Sequence, residues 1–124
     1  MERGGLKSAE LIIIDDDQMI LKILKRVLEE NGYSVLIFNN PEIALTKLKE
    51  SGVCPKLIII DYYMPNMTGL EFYQEIKKYF KDIKCIFMSG NIPSDITISN
   101  CIDFISKPFN LYRLLSLIKE KLNR

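Results

Sequence analysis

The 124-residue sequence contains no histidine. That absence removes the commonest metal ligand, the commonest general base and any phosphohistidine donor, so chemistry in this chain must run on carboxylates, hydroxyls and lysine. A charge excess is missing too. Lys and Arg total 17 against 16 Asp and Glu, and a net charge of +1 gives no field to hold nucleic acid or a membrane surface as a direct partner. No apolar run approaches the roughly 20 residues of a membrane-spanning helix, and Met1 to Glu10 lacks the apolar stretch of a secretion signal. The three cysteines, Cys54, Cys85 and Cys101, are odd in number and scattered among apolar neighbours, which reads as buried thiols in a reducing cytoplasm. The length suits one core and not two, so no second catalytic or output domain is expected. Residues 1–9, with Gly4-Gly5, read as a flexible lead-in, and residues 10–124 as the domain.

What is present is a regular alternation. Five apolar, β-branched runs recur: Leu11 to Ile14, Ser34 to Phe38, Leu57 to Ile60, Cys85 to Met88 and Ile102 to Ile105. They lack polar alternation, which predicts strands covered on both faces. Between them lie helical patterns. Ile20, Ile23, Leu24, Val27 and Leu28 form one stripe before the Asn31-Gly32 stop. Asn40-Pro41 caps a second helix that ends near Ser51-Gly52. Thr68 and Glu71 form a capping box for a third, using Phe72, Tyr73, Ile76, Tyr79 and Phe80. Asn110 caps the last helix, striped by Leu111, Leu114, Leu115, Ile118 and Leu122. Asn91 to Asn100, with Pro93 and several β-branched residues, predicts only a short or irregular fourth helix.

Alternating strands and helices imply a doubly wound α/β fold with a parallel sheet, and such sheets bind ligands at the carboxyl ends of their strands. Those ends carry Asp15-Asp16 after the first strand, Asp61 after the third, Ser89 after the fourth and Ser106-Lys107 after the fifth. Carboxylates gathered there repel by roughly 4 kcal/mol per pair at ~4 Å and an effective dielectric near 20. A divalent cation compensates, and an all-oxygen site of carboxylates, water and a main-chain carbonyl suits Mg²⁺, with Lys107 adding positive charge. Any one Asp after a strand is also an ordinary turn or cap residue, and Asp17 is read as the cap of the first helix. Four strand ends in agreement lift the set above that reading.

Four segments carry a family resemblance: Ile14-Asp15-Asp16-Asp17, the run from Ile60-Asp61 through Met64-Pro65 to Thr68-Gly69, Phe87-Met88-Ser89-Gly90, and Phe104-Ile105-Ser106-Lys107-Pro108-Phe109. From about Leu11 to Leu122 the chain resembles the CheY-like receiver domains of response regulators. The resemblance implies a flavodoxin-like, three-layer sandwich with a five-stranded parallel sheet in the order 2-1-3-4-5. It implies Asp61 as phosphoacceptor, and Asp15, Asp16, Asp61 and the Tyr63 main-chain carbonyl as Mg²⁺ ligands. Lys107 matches the phosphate-contacting lysine, Ser89 the conformational hydroxyl and Phe104 the switch aromatic, which turns inward when Ser89 moves toward phosphorylated Asp61. The Lys107-Pro108 bond is expected to be cis on the same ground.

The implied donor is a sensor histidine kinase or histidine phosphotransfer protein, and the implied recipient of the signal a downstream protein or output domain, with the domain itself a monomer or weak dimer. Such a domain catalyses only its own phosphorylation and dephosphorylation and is not an enzyme with a free substrate. Two departures stand out. Ser89 and Lys107 lie closer in sequence than in many relatives, which points to an atypical partner surface around the fourth helix. Tyr63 is large at a place that influences phosphate loss, which predicts a long-lived phosphoform. Two rival readings compete: a haloacid-dehalogenase-like phosphohydrolase, with Asp15 as nucleophile and Asp17 as acid, and a pseudo-receiver that keeps the fold without the chemistry. The first lacks the later acidic pair and room for a cap domain; in the second every reactive position would have to be filled by chance.

Overall fold

The computed structural model describes residues 9–91, 94 and 101–122. Five strands, β1 (Leu11–Ile14), β2 (Val35–Phe38), β3 (Leu57–Asp61), β4 (Cys85–Ser89) and β5 (Ile102–Ser106), alternate with helices α1 (Gln18–Glu30), α2 (Pro41–Ser51), α3 (Gly69–Lys77) and, after β5, α4 (Leu111–Leu122). The strands form one parallel sheet in the order β2-β1-β3-β4-β5, as the resemblance implies. The lead-in, up to residue 8, lies outside the described residues. So does most of the β4–β5 crossover, and with it the expected short or irregular fourth helix and the partner surface built on it.

Strand burial follows from the doubly wound layout. β1, β3 and β4 are buried at every position, whereas β2, at the sheet edge, is only partly covered. Successive side chains point to opposite faces. Ile12, Ile14, Ile58 and Ile60 therefore join one core, with Leu48 of α2 and Phe72 and Ile76 of α3. Leu11, Ile13, Leu57 and Ile59 join the other, with Leu24 and Leu28 of α1 and Leu114 and Ile118 of α4.

The helix starts are built by the residues the sequence marks. The Asp17 carboxylate accepts the Met19 and Ile20 amides, at 2.9 and 3.3 Å. Asn40 does the same for Glu42 and Ile43, and the Thr68–Glu71 capping box is closed in both directions. The Asn110 side chain accepts the Tyr112 amide at 2.7 Å. Helix α2 stops at Gly52, whose φ of 66° is the left-handed conformation that glycine adopts without a steric cost. Two expectations need correction. Helix α3 ends at Lys77, so Tyr79 and Phe80 lie beyond it, and Tyr79 is exposed beneath the Lys49 ammonium, 5.0 Å from its ring centre. Of the cysteines only Cys85 is buried; Cys54 is exposed because it falls in the loop between α2 and β3, and Cys101 is half-covered.

Candidate functional site

A parallel sheet brings every strand's carboxyl end to one rim, and here that rim gathers Asp15 and Asp16 just past β1, Asp61 at the end of β3, Ser89 at the end of β4 and Lys107 just past β5. Carboxylate oxygens of Asp15, Asp16 and Asp61 lie within 4.8 Å of one another. Asp15 is fully buried and Asp61 nearly so, while Asp16 is exposed at the mouth. The Lys107 ammonium reaches between them, 2.9 Å from Asp15 Oδ2 and 3.4 Å from Asp61 Oδ1. The other Asp15 oxygen accepts the Asp17 amide at 2.9 Å. The Lys107–Pro108 peptide is cis.

Three carboxylates against one ammonium leave the site short of positive charge. Burial, and then the neighbouring Asp15 charge, push Asp61 up to about 6, with Lys107 offsetting only part of this. Burial likewise raises Asp15 against the pull of its Lys107 hydrogen bond. Burial alone would lower Lys107, but its bonds and charge contacts with Asp15 and Asp61 outweigh that, so it is held above its ordinary value. The donor set fits a hard divalent cation, because all the ligand atoms are carboxylate oxygens and they lie within 4.8 Å of one another.

Ser89 is buried, with both hydrogen bonds of its hydroxyl made to the main chain of Asn91: it donates to the carbonyl at 2.7 Å and accepts from the amide at 3.2 Å. Its own carbonyl receives the Lys107 amide at 2.7 Å, tying the end of β4 to the residue that carries the ammonium. Phe104 is already covered in this structure, in register with Phe87 on β4 and within the core on the α2 and α3 side. Tyr63 is 57% exposed, and its ring stands edge-on to Tyr62, with ring centres 4.7 Å apart.

Two positions in the loop after Asp61 matter more than their sequence signal indicates. Tyr62 is buried, packs edge-on against Phe87 at 5.9 Å, and accepts the Gly69 amide on its carbonyl at 2.7 Å. A β-carbon at Gly69 would come within 2.8 Å of the Asp61 carbonyl oxygen, 3.0 Å of Tyr62 Cα and 3.1 Å of the Phe87 ring. Only glycine lets the start of α3 pass this close under the phosphoacceptor candidate. The one sequence clue is a glycine placed directly after a helix cap. Asp17, assigned acid catalysis in the hydrolase reading, instead spends its carboxylate capping α1.

Comparison with known proteins follows the same outline. The response regulator receiver domain matches residues 11–119. The response regulator protein TodT of Pseudomonas putida is 30% identical over 94% of this chain and 52% of its own length. The sensor kinase CckA of Brucella abortus is also 30% identical, over 94% of this chain but 13% of its own. The chain thus spans about half the length, or less, of these curated relatives. Among solved structures, the response regulator TrrA of Thermotoga maritima, crystallised with Mg²⁺ and beryllofluoride, is 32% identical, with a TM-score of 0.80 over 92% of this chain and 99% of that one.

Proposed function

The chain belongs to the response regulator receiver family, and from that premise we propose that Asp61 is its phosphoacceptor, within a receiver domain spanning residues 10–124. Receiver domains of two-component systems are signalling modules that work with histidine kinases and output domains. One observation carries the reading for this chain: Asp61 shares a small rim site with two further aspartates and one lysine.

Asp15, Asp16 and Asp61, with the Tyr63 main-chain carbonyl, would hold Mg²⁺, which supplies the charge that screens incoming phosphoryl oxygens. The chain's own residues do the rest. An Asp61 oxygen attacks phosphorus; the new O–P bond forms as the bond from phosphorus to the donor's histidine nitrogen breaks, and that nitrogen keeps the electron pair. Lys107, already against Asp61, turns its ammonium to a phosphoryl oxygen. The Ser89 hydroxyl donates to another, and the shift is read out where Phe104 packs beside Phe87. Tyr63 covers the approach of water, which ends the signal by attacking phosphorus: a new O–P bond forms from water as the O–P bond to Asp61 breaks, the electron pair returns to the Asp61 oxygen, and inorganic phosphate leaves. The phosphoryl donor is a sensor histidine kinase or histidine phosphotransfer protein, which the domain meets in the cytoplasm.

The test uses a small phosphorus–nitrogen donor, phosphoramidate, with Mg²⁺, followed by borohydride reduction, which converts an aspartyl phosphate to homoserine and marks its position. Homoserine at residue 61 is expected. Marking at residue 15 would move the chemistry to the hydrolase reading, and no marking in protein that binds Mg²⁺ would leave the fold without the activity.

A further inference from the structure

The turn that ends α1 carries a dipeptide with chemistry of its own. Asn31 is the only asparagine of the chain followed by glycine, and both residues are exposed. A side-chain amide is a carboxylic acid derivative on which the main-chain nitrogen of the next residue closes a five-membered ring, and glycine, with no side chain, obstructs that approach least. We propose that Asn31 is a site of spontaneous modification by this route, and that the last turn of α1 sets its rate. The Gly32 nitrogen, its proton given up to hydroxide, attacks Asn31 Cγ. The new C–N bond forms as the bond from Cγ to Nδ2 breaks, and ammonia leaves with that electron pair and a proton from water. Water then adds to either carbonyl of the ring and opens it, leaving aspartate, or isoaspartate where the main chain runs through Cβ.

The fold restrains both reacting groups. Asn31 Nδ2 donates to the Val27 carbonyl at 2.8 Å, and the Gly32 amide donates to the Glu29 carbonyl at 3.0 Å. Closing the ring turns the Gly32 nitrogen toward Cγ by rotation about the Asn31 main chain, which stands at ψ 12°, and gives up both bonds. The next residue resists that rotation: the Tyr33 amide donates to the Leu28 carbonyl at 3.1 Å, and Tyr33 is buried. Reaction therefore follows local opening of the turn, which a helix end undergoes far more often than the whole fold unfolds. Two ordinary hydrogen bonds, each worth about fivefold, make the folded chain react about 25-fold more slowly than the unfolded one. Reclosing does not undo the change. A carboxylate only accepts, so it has no bond to offer the Val27 carbonyl. It also puts negative charge at the negative end of the helix, next to Glu29 and Glu30, in a turn with no basic residue. Each opening that ends in reaction thus leaves α1 with a weaker stop.

The test follows the full chain in mildly alkaline buffer, with and without concentrated urea, by peptide mapping that separates aspartate from isoaspartate. Conversion of residue 31 to both products is expected in urea, and about 25-fold more slowly in buffer alone. Gly32→Ala, measured in urea where folding plays no part, should slow the conversion several-fold. In Asn31→Asp, which reproduces one product, amide exchange at Gly32 and Tyr33 should be faster by about fivefold, the equivalent of one ordinary hydrogen bond. No conversion at residue 31 in urea, or Gly32→Ala reacting as fast there, would remove the site. Equal rates with and without urea, or a folded chain that reacts only as often as urea titration shows it to unfold globally, would remove the gate. Unchanged exchange in Asn31→Asp would remove the consequence for α1.

Discussion

Replacing Asp61 by Asn should stabilise the metal-free protein, although it removes the residue on which the proposed function turns. Asp61 is 7% exposed, with its pKa raised from 3.8 to about 6, first by burial and then by the charge of Asp15. At about 1.4 kcal/mol per unit, ionising it in the fold costs roughly 2–3 kcal/mol more than in the unfolded chain. The sign follows from proton binding. Between about pH 4 and pH 6 the folded protein holds a proton that the unfolded chain has released, so stability falls as pH rises through this window and is level above it. Asp15, raised for the same reason, adds to the slope in the same direction. The substituted side chain, a neutral amide, carries no charge and leaves Asp15 one anionic neighbour fewer. Urea unfolding in the presence of EDTA should therefore find Asp61→Asn more stable than the unsubstituted protein by roughly 2–3 kcal/mol at pH 7.5, with the gap closing toward pH 4. Saturating Mg²⁺ should narrow the gap by stabilising the unsubstituted protein, by about 2.7 kcal/mol at a hundredfold excess over Kd. Equal or lower stability of the variant at pH 7.5, or a pH-independent difference, would refute the claim that these carboxylates are held in excess of their compensation.

Three further substitutions separate scaffold from chemistry. Gly69→Ala, which forces a β-carbon to 2.8 Å from the Asp61 carbonyl, should cost about 1–3 kcal/mol by urea unfolding and should displace the Asp61 and Tyr62 amide resonances. Asp17→Ala should lose about 1 kcal/mol of stability, the worth of a helix cap, and retain Asp61 phosphorylation in the phosphoramidate assay; loss of labelling with the fold intact would revive the hydrolase reading. Tyr63→Ala should shorten the life of the phosphoform several-fold without changing the site of labelling, and an unchanged lifetime by intact-protein mass would show that the exposed ring shields nothing.

Wherever a local rule governed the outcome, the sequence was a sufficient guide. Asp17, Asn40, Thr68 with Glu71, and Asn110 cap helices because a short polar side chain next to free amides has few other uses. The uninterrupted apolar runs identified β1, β3 and β4, since only a sheet covered on both faces tolerates them. The convergence of Asp15, Asp16, Asp61 and Lys107 followed from parallel topology alone. Periodicity overreached at Tyr79 and Phe80, which continue the apolar pattern of α3 after the chain has left the helix. The contacts of Ser89 with Asn91, and of Gly69 with Asp61, were not legible, because each depends on main-chain atoms that carry no residue-specific signal. Phe104 lies covered beside Phe87, the place an aromatic in a sheet strand takes as plain core.

The central claim is that the crowded aspartates serve to bring phosphate onto Asp61 with the aid of a bound cation. Intact-protein mass spectrometry after incubation with acetyl phosphate measures this most directly, for the unsubstituted protein and Asp61→Asn, each with Mg²⁺ and with EDTA. One phosphoryl group is expected on the unsubstituted protein with Mg²⁺ and none under the other three conditions; equal labelling with EDTA, or labelling of Asp61→Asn, would contradict the account.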